Sequence, residues 1–256
     1  MAPKTPLEIP VFTADAARQA QSLGAQRIEL NAPGSYSLGG TTPTIGDLEA
    51  ISSVDIPVMI MVRPRGAQKD RTDFVYDDEE LGNMKESIEQ FVDSGYIEAG
   101  DGDGFVFGVL KEGENGVEVD IERNKALVEA AAGHPCTFHR AFDGLIAAGE
   151  GMTAEAHTMR VEKAVEDVAA CGFSAVLTSG GPGKAAEHAG TLAAVREKAR
   201  GRFELIVGGG VRSGNVRGVI GVLGPEEGGL WAHASCLAAG EENLDVAEVG
   251  GLLSQL

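Results

Sequence analysis

The chain has 256 residues, 43% of them apolar and 23% charged, with a formal net charge of −18 from 39 acids against 21 bases. That length buries a sizeable core without a disulfide or metal staple, and the composition excludes a disordered chain. The acidity repels phosphate backbones and anionic lipid, and no apolar run reaches the roughly 20 residues that cross a bilayer, so neither nucleic acid nor membrane is expected as a partner.

Met1–Pro6 has one lysine and no apolar stretch, which does not read as a secretory leader. Along the chain, short apolar or β-branched runs alternate with longer helical stretches. The predicted strands are Leu7–Val11, Arg27–Leu30, Val58–Val62, Gly104–Val109, Cys136–His139, Ala175–Thr178, Glu204–Val207 and Leu230–Ala232. Between them, Thr13 caps a helix over Ala14–Leu23, Thr44 a short one through Ile51, and Asp77 a third leading to Val92. Asp120 caps Ile121–Ala131. Helices over Ala154–Ala169, Ala185–Ala199, Gly214–Ile220 and Val246–Leu253 complete the series. Eight such alternations predict a (β/α)8 barrel forming a single domain over residues 1–256. The alternative, a doubly wound open sheet, lacks its GxGxxG after the first strand. Two acidic, Gly-rich stretches, Ala67–Asp78 and Gly100–Asp103, read as exposed loop insertions.

In such a barrel, polar residues at the C-terminal ends of strands converge on one pocket. Glu8 lies near the start of its strand, which counts against it. Glu29 alternates with Ile28 and Leu30 and so points away from both; a carboxylate there needs an arginine partner or serves as a base. After the third strand, Arg63-Pro64-Arg65-Gly66 offers two guanidiniums for a carboxylate or phosphate. The fifth strand ends in Phe138-His139-Arg140-Ala141-Phe142-Asp143. His139 can move a proton near neutral pH and Asp143 can orient its ring. Thr178, Ser179 and the Gly208-Gly209-Gly210 turn follow later strands, where Gly-rich turns hold anions on backbone N–H groups. His233 ends the eighth strand.

HxH, HExxH and CxxC spacings are missing, so the strong zinc signatures are absent. Cu(I) asks for thiolates and thioethers. Met59 and Met61 share the parity of Arg63 and point into the barrel, where such residues are more often core filler. Of the three cysteines, Cys136 and Cys171 lie on the helix side, and Cys236 alone is placed for a ligand at the mouth. The odd, scattered thiols fit a reducing cytoplasm.

The ordered series LEI, GAQRIEL, GGTTPT, VRPRG, FGVL, TFHRAFD, VLTSGG, GGGVR and HASC, from about residue 7 to about residue 236, resembles the CutC copper homeostasis protein family. The resemblance implies a (β/α)8 barrel, a cytoplasmic protein that binds or moves copper, and a possible homodimer. In the family, copper binding is attributed to cysteines, some in the first strand; here that strand reads Leu7-Glu8-Ile9-Pro10-Val11, and Asn31 follows the second. Two functions are therefore expected to compete. One is copper homeostasis, with Cys236, Met59 and Met61 as ligands. The other is a metal-independent barrel enzyme acting on a small anionic or phosphorylated metabolite. In the enzyme, Glu29, His139, Asp143 and His233 do acid–base work, and Arg63, Arg65, Arg140, Thr178, Ser179 and Gly208–Gly210 bind the anion. A scaffold that meets a partner through its acidic surface is a third possibility.

Overall fold

The computed structural model describes residues 5–114, 116–224, 229–238 and 242–256. Residues 1–4, most of the segment read above as no leader, lie outside the described set. In chain order the strands are β1 (Leu7–Val11), β2 (Arg27–Leu30), β3 (Val58–Met61), β4 (Gly104–Phe107), β5 (Leu110–Gly113), β6 (Gly116–Val119), β7 (Cys136–Phe138), β8 (Ala175–Thr178), β9 (Glu204–Val207) and β10 (Leu230–His233). Eight of them close a parallel barrel in the order β1-β10-β9-β8-β7-β4-β3-β2, and β5 and β6 form a separate antiparallel pair. The predicted (β/α)8 architecture is the one found.

The helices are α1 (Ala14–Leu23), α2 (Ile45–Glu49), α3 (Asp78–Asp93), α4 (Ile121–Ala130), α5 (Ala141–Leu145), α6 (Ala154–Cys171), α7 (Ala189–Ala199), α8 (Val216–Gly221) and α9 (Val246–Leu253). Their starts follow local chemistry. Thr13 accepts from the Ala16 amide, and Thr44 and Asp77 make reciprocal capping boxes with Asp47 and Glu80. None of the helices among the described residues is long and apolar enough to cross a membrane.

Two features escaped the sequence pattern. The β5–β6 hairpin lies in an acidic, Gly-rich stretch whose outward residues hide the alternation. The five residues of α5 include Gly144 and carry no helical period to read.

Alternation along the strands divides the core. Leu7, Ile9, Val11, Ile28, Leu30, Ile60 and Val207 join the large outer core with the helices. Their neighbours of opposite parity face the barrel interior. There Met59, Met61 and Val106 form one apolar cluster, and Ala175, Leu177 and Ile206 form another with Trp231 packed against it. The rest of the interior is polar, and buried there are Glu8, Arg27, Glu29, Asn31, Arg63, Thr137 and His139.

Candidate active site

Barrel closure decides which polar residues meet. Leu7 pairs with Ala232 and Glu8 with His233, so the start of β1 lies beside the end of β10. Glu8 also sits opposite Arg27, and Pro10 opposite Glu29. The strand stagger that a barrel requires thus carries Glu8, discounted on its position within β1, into contact with a residue of the mouth.

Glu8 is the hub. Its Oε2 accepts from Arg27 Nε at 2.5 Å, and its Oε1 accepts from His233 Nδ1 at 2.7 Å. The Arg27 guanidinium lies 4.0 Å from the centre of the half-buried Trp231 ring, a cation–π contact that holds it in place. Burial alone would raise the Glu8 pKa, but Arg27 and then His233 outweigh it and leave it at about 2. A carboxylate that stays ionised fixes the tautomer of His233: Nδ1 carries the proton, and Nε2 makes no hydrogen bond among the described residues.

Glu29 completes the cluster. Its Oε1 accepts from Asn31 Nδ2 at 3.1 Å, and its Oε2, fully buried, has no hydrogen-bond partner. Burial raises the Glu29 pKa above the ordinary carboxylate range, and the nearby charge of Glu8 adds to the rise. For His233, burial pulls the pKa down; the hydrogen bond to Glu8 and the charges of Glu29 and Glu8 outweigh that, and the net shift is upward. Glu29 and His233 are therefore the groups whose protonation is in balance, with ionised Glu8 and Arg27 as the fixed charges beside them. Arg27 was not singled out in the sequence; its inward parity with Glu29 is the signal that could have found it.

One ligand atom from each of Glu8, Glu29 and His233 can be chosen so that all lie within 4.8 Å of one another, a spacing that suits a metal ion. Both oxygens of Glu8 are committed to Arg27 and His233, so an ion would meet Glu29 and His233 first. The Cu(I) set expected from sequence is not assembled. Met59 and Met61 belong to an interior cluster with Val106, whereas Cys236 is wholly buried in the helix-side core. Burial pushes its thiol up to about 12, far from the thiolate that copper needs. Cys136 and Cys171 are buried on the helix side too, and burial pushes both up to about 12.

The other half of the interior corrects three expectations. Arg63 and Arg65 do not share an open face for an anion, because each is spent on the protein. Arg63 donates to Asp73 at 3.0 and 3.2 Å and to the carbonyls of Leu38 and Gly40. Arg65 donates to Glu80 at 2.6 Å and to the Val75 carbonyl. Residues 67–72 and 77–78 are exposed, as expected of an insertion, while residues 73–76 turn inward where these arginines hold Asp73 and the Val75 carbonyl.

Nor does Asp143 orient His139. Asp143 accepts from Thr178 Oγ1 at 2.5 Å, from the Ser179 amide and hydroxyl at 2.9 Å each, and from Arg140 Nε at 2.8 Å. Four donors saturate that carboxylate and lock α5 onto β8, which takes Thr178 and Ser179 out of the anion-binding set. His139 instead accepts weakly on Nδ1 from the Ala141 amide at 3.3 Å. It packs under Phe74, ring centres 4.6 Å apart, with Phe74 itself in the left-handed region at φ 64°. A Cβ on Gly108 would lie 2.9 Å from the His139 ring, so only glycine admits the imidazole here. Burial, with the charge of Arg63 beside it, pulls the His139 pKa down to about 3. It is a neutral core histidine near pH 7.

The Gly208–Gly210 turn stands where expected, at the mouth. An ideal Cβ on Gly208 would lie 3.2 Å from His233 Cδ2, so the turn starts against the Glu8–His233 pair.

Comparison with known proteins agrees with this architecture. The family model described as the CutC family matches residues 5–235. A human protein named copper homeostasis protein cutC homolog is 35% identical over 222 residues, 86% of this chain and 71% of the human one. A Treponema denticola family protein CutC is 34% identical, covering 87% of this chain and 78% of its own. The crystal structure of a Streptococcus agalactiae protein described as a copper homeostasis protein CutC superposes with a TM-score of 0.71 at 26% identity, covering 91% of this chain and 99% of that one. A phosphoribosylanthranilate isomerase from Pyrococcus furiosus, at 14% identity and a TM-score of 0.60, shares the fold alone. The chain belongs to the CutC family.

Proposed function

We propose that this chain is an acid–base enzyme that exchanges a proton with a small molecule at the β1–β2–β10 side of its barrel, with Glu29 and His233 as the proton-moving pair. The observation that carries this reading is the buried Glu29 Oε2 without a hydrogen-bond partner. An oxygen kept dry and unbonded costs on the order of 1–3 kcal/mol, a cost that a bound partner removes. Glu8 and Arg27 take no proton themselves: the first holds the His233 tautomer, and the second keeps Glu8 ionised. Glu29, with its raised pKa, and His233, with its free Nε2, remain to accept and donate.

The family's copper connection tests poorly on these residues. The sulfur donors are divided between two faces of the barrel wall and do not converge on one Cu(I) ion. The relatives' copper homeostasis names bear on those proteins, and a copper role for this chain would need a different donor set.

The test is solvent deuterium exchange. The purified protein is incubated in deuterated buffer with a panel of small carbonyl-containing anions, and loss of carbon-bound proton signal is followed by NMR. At least one compound is expected to exchange, with Glu29→Gln slowing it by 100-fold or more, the usual worth of a positioned base. Exchange that survives unchanged in Glu29→Gln would remove the proposal.

A further inference from the structure

The turn after β9 is asymmetric in how its backbone is used. Three successive carbonyls are taken: Gly209 O accepts from the Ala185 amide, Gly210 O from Asn215 Nδ2, and Val211 O from Arg212 Nη1. The amides of Gly209, Gly210 and Val211 have no hydrogen-bond partner among the described residues. Three successive donors are thus unused while the acceptors beside them are consumed, a polarity that suits an anion.

The surroundings carry the same sign. Arg140 lies along Gly209, where a Cβ would meet its Cζ at 3.4 Å, and Lys184 lies along Gly210, where a Cβ would meet its Cγ at 3.1 Å. Both glycines have positive φ, at 89° and 71°, so no other residue keeps this path without strain. Arg212 continues the arc, half-buried and bonded to Ser235 Oγ at 3.1 Å. Acids nearby are already engaged: Asp143 with Arg140, Glu248 with Ser213, and Glu187 with the Lys184 amide. Arg140 is paired with Asp143, whereas Lys184 and Arg212 make no salt bridge among the described residues.

We infer that this turn anchors the phosphate of a phosphate monoester, with Gly209, Gly210 and Val211 donating to its oxygens and Lys184 and Arg212 matching its charge. Three amides and two separated cations suit a dianion with three equivalent oxygens better than a planar carboxylate. The inference rests on the proposed function for the other end of the substrate. Because Gly208 abuts His233, the reacting part of a small phosphorylated compound would extend from this anchor toward Glu29.

Inorganic phosphate is the probe, measured by calorimetry on the whole chain at low ionic strength. Saturable binding is expected, weakened at least ten-fold in the double variant Lys184→Ala/Arg212→Ala. Lys184 is exposed, so Lys184→Ala alone serves as a variant whose folding is safe, with a smaller loss in the same direction. Glu29→Gln should leave phosphate affinity within about two-fold, which separates failure of the anchor from failure of the proton-transfer reading. The inference is overturned if phosphate does not bind, if the double variant binds it as well as the parent, or if malonate binds equally and loses as much.

Discussion

The barrel interior has two polar halves built from the same residue types. Past the ends of β3 and β7 and on α5, Arg63, His139 and Asp143 have the residue types of a catalytic set, yet each is held by the surrounding protein. Arg63 clamps Asp73 and two carbonyls, four donors surround Asp143, and His139 is pressed under Phe74 with its pKa at about 3. On β1, β2 and β10, Glu8, Arg27, Glu29 and His233 form a compact charge group that leaves a carboxylate oxygen and a ring nitrogen over. Residue identity does not separate these halves, and neither does a single unbonded atom, since His139 Nε2 and Arg63 Nε are also buried without a hydrogen-bond partner; what separates them is that Glu8, Glu29 and His233 bring ligand atoms within 4.8 Å of one another. Asp143, fully bonded, stabilises the fold, and His139 stays neutral and isolated, whereas Glu29 and His233 lie within reach of each other with an acceptor and a ring nitrogen to spare.

Charge removal probes that difference most strongly. Arg27→Met would strand the Glu8 carboxylate in the interior and should cost about 3–5 kcal/mol in urea unfolding. Arg63→Met should cost less, about 1.5–3 kcal/mol, because its partner Asp73 is 28% exposed and can return to water. An equal loss from both would erase the contrast between a sealed charge group and a rim clamp.

Acid sensitivity gives a smaller effect of defined sign. Below the ordinary value of 6.5, the unfolded chain protonates this histidine, while folded His139 stays neutral down to about 3. Stability should therefore fall as pH falls through that window, by on the order of 1 kcal/mol per pH unit at most. His139→Gln should flatten this part of the profile. If the profile keeps its slope in His139→Gln, His139 is not the buried neutral group described here. The smallest effect is expected at the interior sulfurs. Met59→Leu should change stability by less than about 1.5 kcal/mol and leave Cu(I) competition with a chelator unaltered, as for a residue that fills space.

The fold was legible because it repeats a local pattern: strand, Gly-rich gap, capped helix. Thr13, Thr44, Asp77 and Asp120 mark helix starts in the sequence and cap them in space. Parity placed Glu29, Met59 and Met61 inside and Cys136 outside for the same local reason. The site was legible only in part, because it depends on what alternation cannot show. Glu8 became central through the stagger between β1 and β10, a property of barrel closure rather than of either strand. Asp143 was lost to the site through hydroxyls 35 and 36 residues away, and Arg63 through a carboxylate in a loop that reads as exposed. Spacing brings His139 and Asp143 close in sequence, and a competing set of donors decides that they do not bond.

The most direct measurement pairs the two halves in one deuterium-exchange assay. Glu29→Gln, His233→Gln and His139→Gln are compared with the parent on the same exchanging compound, after circular dichroism has shown each to be folded. Losses of 100-fold or more are expected for Glu29→Gln and His233→Gln, with His139→Gln within a few-fold of the parent. Loss in His139→Gln with exchange retained in Glu29→Gln would contradict Glu29 and His233 as the proton-moving pair.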